Sequence, residues 1–451
     1  MSILNLIPIF VGGAGLYMLL RLRAFFVFHP VKCLKDAMRV IRRRGNGSSL
    51  ALALAGTLGV GNIFGVAASL IVGGAGSLFW LLVSSLFSIV IKYSEATLTH
   101  GGNGMQDVIR GALGGWGKIF SRGYMLLCIP LSLTMGAAFQ SKSIVGALYE
   151  SLGSSRSVVL LVVLVSLLSL MSGNSEKTRK TSAKLIPFAT IVYISLCLAA
   201  IFLNIERLPH VIFKVISEAL SLRSVGGGLI GSIALSALRE GFSVGILSNE
   251  AGAGTSSFAH TLLSDTTPRE SGLFGMIEVF FDTVVICPLT ALAILTSGID
   301  ITSYTSGMRL AADALVSSLG APARLILAAV VFVFAISSAL CWYYYGMLAV
   351  RSRLPYLSRI FPAVFVGSVC LGIIASDSAV IFLSEANLLL LSVPTLAAII
   401  KSSDRIVVLS ELEKYKTKLP RSRVKEGVSS TSAPRKASRA KARARTRDSA
   451  S

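Results

Sequence analysis

The sequence predicts an all-α polytopic membrane protein of eleven transmembrane helices: one N-terminal helix, then two halves of five helices each in inverted orientation. Three observations predict it. The 451 residues are 53% hydrophobic and only 14% charged, against roughly 25% charged in soluble domains. Apolar runs of about 20 residues recur along the chain, and each can cross about 30 Å of hydrocarbon as a helix. Two of the runs are interrupted by glycines at corresponding places, in 56–65 and 241–254. Paired broken helices mark the midplane site of an inverted-repeat membrane fold.

The expected spans are 4–28, 50–73, 77–98, 122–150, 157–172, 184–204, 227–259, 272–297, 322–348, 355–375 and 379–400. Span 4–28 stands outside the repeat, within a transmembrane domain of residues 1–400. Residues 50–204 form the first half and 227–400 the second, each opening on its glycine-broken helix. Five is odd, so the second half enters from the opposite face. No residue-by-residue repeat links the halves; the symmetry rests on hydropathy and on the position of the breaks. Two amphipathic stretches, 208–223 and 303–319, precede long helices on the outer side. They read as short surface helices, either gating elements or plain loop structure.

Lys and Arg in short loops set the orientation. Arg21, Arg23, Lys32, Lys35, Arg39, Arg42, Arg43 and Arg44 lie in 21–44, and Lys177, Arg179, Lys180 and Lys184 in 173–184. Arg351 and Arg353 follow the ninth span. All fall on one face with the C-terminus, so that face is the cytoplasm and the N-terminus lies outside, in a multi-pass protein of the cell membrane. The net charge is +21, much of it in 401–451, a basic stretch expected to be a disordered cytoplasmic tail. Its partner is solvent or anionic lipid headgroups; a membrane tether argues against nucleic acid. Six scattered cysteines form no CxxC pair and read as small apolar residues. Positive charge follows the first apolar run instead of preceding it, which argues against a cleaved signal.

The glycines of 56–65 are no dinucleotide fingerprint: their spacing is G-x-x-G-x-G, at membrane depth with no strand before them. Close packing is the simpler reading, since Gly61 and Gly65 form GxxxG, as do Gly241 and Gly245. Packing leaves Thr57, Asn62, Ser248, Asn249 and Glu250 unexplained, because polar groups are costly in lipid unless they face a cavity. A break frees carbonyls to hold a cation and amide N–H groups to hold a carboxylate. That ligand pair suits a zwitterionic amino acid moving with a cation.

GTLGVGNIFGVA (56–67) and SNEAGAGTSSFAH (248–260) resemble signatures of the alanine or glycine:cation symporter family. FFDTVVICPLTALAILTSG (280–298), LIPFATIVYI (185–194), VFAISSALCWYYYG (333–346) and SEANLLLLSVPTLAAI (384–399) extend the likeness to about residue 400. The resemblance implies eleven helices around a leucine-transporter-like core, no cofactor, and uptake of alanine or glycine coupled to Na+. It implies that Thr57, Gly59, Gly61 and Asn62 line the site from the first break, and Gly245, Ser248 and Asn249 from the second. Gln140 would reach the substrate, and Trp342 would cap a small side-chain pocket. Gly59, Ser337 and Ser338 would offer oxygen to the sodium ion, with Ser338 also available to the substrate.

Some positions depart from the family pattern. Lys142 replaces an Asn, Val244 an Arg, and Gly102-Asn103-Gly104-Met105-Gln106-Asp107 a GGPMYY stretch. Glu278 stands where a small residue is usual, one turn before Asp282. Lys142 lies about 200° around the helix from Gln140, so it need not face the substrate. Membrane charges seek partners, and Lys142 with Glu278 is a candidate pair. Glu278 and Asp282 share a helix face, which opens the alternative of proton coupling. A second alternative is a non-transporting sensor or scaffold. The spans contain no HExxH or GxSxG motif, which argues against an enzyme, and His100 and His260 read as surface or capping groups.

Overall fold

The computed structural model describes residues 6–42, 54, 56–101, 104–152, 156–171, 175–220, 229–260 and 266–416. The outlying helix is α1 (Leu6–Arg21), followed by α2 (Pro30–Arg42). In the first half a π-helical turn, π1 (Gly61–Gly65), runs into α3 (Val66–Gly73). Then come α4 (Ser77–Leu98), α5 (Met105–Ala112), α6 (Gly117–Leu131), π2 (Ser132–Ala138), α7 (Phe139–Leu152), α8 (Arg156–Met171) and α9 (Ser175–Leu203). A linking helix, α10 (Leu208–Leu220), precedes the second half. That half consists of α11 (Leu229–Asn249), α12 (Pro268–Val279), π3 (Phe280–Ile286), α13 (Cys287–Thr296), α14 (Gly307–Leu319), α15 (Pro322–Arg353), α16 (Phe361–Ile374) and α17 (Asp377–Lys401). Finally α18 spans Ser403–Lys416.

Each of the eleven expected segments contains helix. Six described helices are long and apolar enough to cross a membrane: Ser77–Leu98, Gly114–Tyr149, Leu185–Leu203, Pro268–Thr296, Pro322–Arg353 and Ala379–Lys401. Three apolar helices are shorter, Pro8–Arg21, Gly61–Gly73 and Phe361–Ile374. The shortening has local causes. Arg23 and Ala24 take left-handed backbone conformations that end α1, and the chain departs from helix at residues 58–60, just before π1. Both amphipathic stretches form helices, α10 and α14.

The core forms around α4, which packs against α11, α12 and α1. Glycine permits the closest of these approaches. A Cβ at Gly241 would stand 2.1 Å from the Ser77 carbonyl oxygen, and one at Gly245 would stand 1.9 Å from Ser84 Oγ. On the other flank, α15 packs against α7, π2 and α9. Thr267 and Glu270 form a capping box ahead of Pro268, which fixes where α12 begins.

One expectation is corrected here. Disorder is expected from residue 401, yet α18 is a helix docked on the domain. Ile406 is fully buried, Tyr17 Oη lies 3.1 Å from Ser403 Oγ, and Tyr93 donates to Ser410 Oγ at 2.8 Å. Arg21 pairs with Asp404. Buried Ile406, with these polar contacts at Ser403, Asp404 and Ser410, holds the helix on the domain. The remainder of the expected tail, 417–451, lies outside the described residues.

Candidate functional site

The first break meets α7 and α15 at Gly59. A Cβ there would lie 3.6 Å from Gln140 Nε2 and 3.7 Å from Ser338 Oγ, so only hydrogen separates this backbone from two polar side chains. Gln140 is anchored by Nε2, which donates to the Met135 carbonyl in π2 at 3.3 Å. Four buried polar atoms here have no hydrogen-bond partner among the described residues: Gln140 Oε1, Ser338 Oγ, Asn62 Oδ1 and Trp342 Nε1. Each such atom costs about 1–3 kcal/mol if left unsatisfied. Two of these atoms, Gln140 Oε1 and Ser338 Oγ, belong to the side chains that meet Gly59, so neutral oxygen atoms with free bonding capacity line the first break.

Trp342 follows Ser338 by one helical turn and is buried. Its side chain rests on π2, where a Cβ at Gly136 would come 2.2 Å from Trp342 Cβ. Tyr345 stands edge-on to the indole at 5.6 Å between centroids and lies over Gly56. Thr57 and Ser337 are buried on the first break and on α15 respectively. Ser338, not Ser337, is the serine opposite Gly59. A Cβ at Gly61 would meet nothing within 4 Å.

A polar chain joins the two breaks. Asn62 donates to Asp282 Oδ1 at 2.6 Å, and Thr283 Oγ1 donates to Asp282 Oδ2 at 2.8 Å. Asn249 Nδ2 donates to Thr283 Oγ1 at 2.9 Å and to the Gly245 carbonyl at 2.6 Å. Ser248 Oγ lies 3.2 Å from Thr283 Oγ1. Asn62, Ser248 and Asn249 therefore come together as expected from the paired breaks, but through Asp282 and Thr283 of π3. Gly245 differs from expectation: its α-carbon faces Ser84 of α4, where it serves close packing, and only its carbonyl joins the network.

Beyond Asn249 the chain unwinds, with Glu250 at φ 54°. A non-glycine residue held there stores of order 1–3 kcal/mol of strain. Buried side chains of α4 hold this stretch. Glu95 Oε1 accepts from the Gly252 and Gly254 amides at 2.8 and 3.1 Å. Lys92 Nζ stands 4.0 Å from Glu95 Oε2 and donates to Ser256 Oγ. Thr255 Oγ1 donates to Glu250 Oε2 at 2.7 Å. Sequence reasoning missed Lys92 and Glu95; the available signal was an i, i+3 charge pair inside an apolar span.

Three further expectations change. Lys142 does not turn to Glu278: its ammonium donates to the Ala375 carbonyl at 2.5 Å, while Glu278 is taken by His260. The physical reason is that helical spacing fixes a residue's face but not what that face meets. Lys142 borders a cavity of about 580 Å³ with Phe64, Gly65, Phe139, Ser306 and Ile373. His260 is buried in this pair, not at a surface. His100 is half-buried, with Nδ1 2.9 Å from Ser271 Oγ. Glu278 and Asp282 share one helix only nominally, since π3 intervenes and their partners are His260 and Asn62.

Residues 2–429 match the Sodium:alanine symporter family. The chain belongs to this family. It is 28% identical to the probable sodium/glutamine symporter GlnT of Bacillus subtilis (strain 168), over 78% of this chain and 74% of that one. It is likewise 28% identical to the sodium/alanine symporter AgcS of Methanococcus maripaludis, over 66% and 68%. Among solved structures it resembles MhsT in complex with L-phenylalanine, with TM-score 0.55 and 13% identity, covering 82% of this chain and 96% of that one. The fold is thus that of the leucine transporter. As a member of the sodium:alanine symporter family, the chain is a multi-pass membrane transporter that couples amino acid movement to a cation.

Proposed function

We propose that this chain is a secondary active symporter that imports alanine or glycine with Na+ across the cell membrane. The observation that carries the reading is the juxtaposition of Gly59, Gln140 and Ser338 beneath Trp342. The substrate lies along the first break. Its carboxylate meets the backbone of the break beside Gly61, and its ammonium meets Gln140 Oε1, an orphan acceptor. The Trp342 indole limits the side chain to methyl size. Sodium takes the Ser338 hydroxyl, with Ser337 and the carbonyl of Gly59 as further oxygens; Thr57 shapes the same break. Ser248 and Asn249 hold the second break in register through Thr283. The cavity beside Phe64 and Phe139 is the outer approach, with the N-terminus outside and the C-terminus cytoplasmic. A non-transporting scaffold would have no reason to keep the buried polar atoms Gln140 Oε1 and Ser338 Oγ unsatisfied on the side chains beside one glycine.

The test is uptake of labelled L-alanine and glycine into proteoliposomes under an imposed sodium gradient. Accumulation that collapses with the gradient is expected, and that Ser338→Ala should shift it to higher sodium. No accumulation of either amino acid would overturn the reading.

A further inference from the structure

Three carboxylates and one ammonium are buried around the second break: Glu95, Glu250, Asp282 and Lys92. Two of the acids are well provided for. Glu95 Oε1 accepts two backbone N–H groups, and its Oε2, which has no hydrogen-bond partner among the described residues, stands 4.0 Å from the Lys92 ammonium. Asp282 accepts from Asn62 and Thr283. Glu250 has one hydroxyl donor, Thr255, and its Oε1 has no partner among the described residues. The charged groups near it are Lys92 and Glu95 from α4 and Asp282 from π3. Cys341 and Tyr345 face it from α15, and on the α12 side the His260–Glu278 pair is already matched. One lysine cannot neutralise three acids. A carboxylate withdrawn from water without a matching charge or several donors binds a cation instead, and a proton is the cation that a single orphan oxygen can hold.

From this juxtaposition we infer that Glu250 is a proton-binding site, loaded and emptied in each transport cycle, so that a proton enters together with the substrate. The inference rests on the transport reading above. The step is simple: an O–H bond forms at Glu250 Oε1 with a proton from the outer medium and breaks toward the cytoplasm, with no other bond changed. Position supplies the coupling. Glu250 adjoins Asn249, and the chain Asn249–Thr283–Asp282–Asn62 runs from it to the first break. A substrate that tightens Asn62 therefore alters the surroundings of Glu250, and by linkage a proton on Glu250 alters substrate affinity.

The experiment uses the full chain in proteoliposomes, labelled L-alanine and a weakly buffered medium carrying a pH indicator. Uptake by the wild type should alkalinise the medium, and a protonophore should abolish the signal. Above the working range of the acid, uptake should fall by up to about tenfold per pH unit. In Glu250→Gln, whatever uptake remains should be independent of pH and free of alkalinisation. Where that variant takes up no alanine, Thr255→Val decides. Loss of the hydroxyl that favours the ionised acid should extend wild-type-like uptake to higher pH, and an unmoved profile overturns the inference. Alanine uptake by the wild type without alkalinisation also overturns it, while leaving the symporter reading intact. Absence of alanine uptake under every gradient would overturn both.

Discussion

The two broken helices look alike in sequence and are built differently. The first, around Gly59 to Gly65, is largely buried but leaves room at Gly61 and Gly65. A Cβ at Gly61 would touch nothing within 4 Å, and one at Gly65 would make only an ordinary contact with Val244. Buried polar atoms lack partners at both breaks, Gln140 Oε1 and Ser338 Oγ at the first and Glu250 Oε1 at the second. The second, from Asn249 to Ser256, is clamped. Glu95, Lys92, Thr255 and Thr283 all bond to it, and Gly241 and Gly245 press its helix onto α4. The same GxxxG spacing thus leaves one helix open and seals the other. The difference teaches that a helix break is not a site in itself: side chains of α4 hold the second in place, while the first has room at its glycines.

The comparison makes unequal demands on stability and function, and substitutions can separate them. The largest stability effect belongs to the clamp. Glu95→Ala strands two amide N–H groups and the Lys92 ammonium, and breaking a buried pair from one side costs about 3–5 kcal/mol. Thermal unfolding in detergent should show this, with Glu95→Gln milder because its carbonyl still accepts; a wild-type transition for Glu95→Ala would mean that the second break needs no clamp. Next comes Gly245→Ala, whose new methyl would collide with Ser84 Oγ and approach the Leu81 carbonyl at 3.0 Å. Overpacking of this kind costs typically 1–3 kcal/mol, and the same melts should report it, partly relieved by Ser84→Gly. The smallest stability effect is expected at Gly59→Ala, whose methyl makes only van der Waals contacts with Gln140 and Ser338. Stability should stay within about 0.5 kcal/mol, while alanine uptake should be lost because the methyl takes the substrate's space. Undiminished uptake in that variant would move the site away from the first break.

Much of this was legible in the chain. The breaks were, because four glycines and an Asn interrupt an apolar run; so was the meeting of Asn62 with Ser248 and Asn249, since polar groups at membrane depth must find one another. Gln140, Ser338 and Trp342 were accessible only through family resemblance, because an isolated Trp or Ser on an apolar helix also fits a core. The clamp was not legible: Glu95 meets Gly252 and Gly254 across more than 150 positions of chain, and no local spacing encodes such a contact. For the same reason helical spacing does not reveal that Lys142 meets the Ala375 carbonyl and Glu278 meets His260, and a basic composition does not reveal that Ile406 is buried against the domain.

The three π-helical turns have a consequence for comparing relatives. π1 carries Asn62, π2 supplies the Met135 carbonyl to Gln140, and π3 carries Asp282 and Thr283. A π-turn holds about one residue more than the α-turn it replaces, and one residue is about 100° of rotation. Removing a single codon from any of the three would leave hydropathy and length almost unchanged while swinging the following half-helix to present another side. A one-residue gap within a membrane span, commonly discarded as alignment noise, is at these three places a change in which side of a half-helix meets its neighbours.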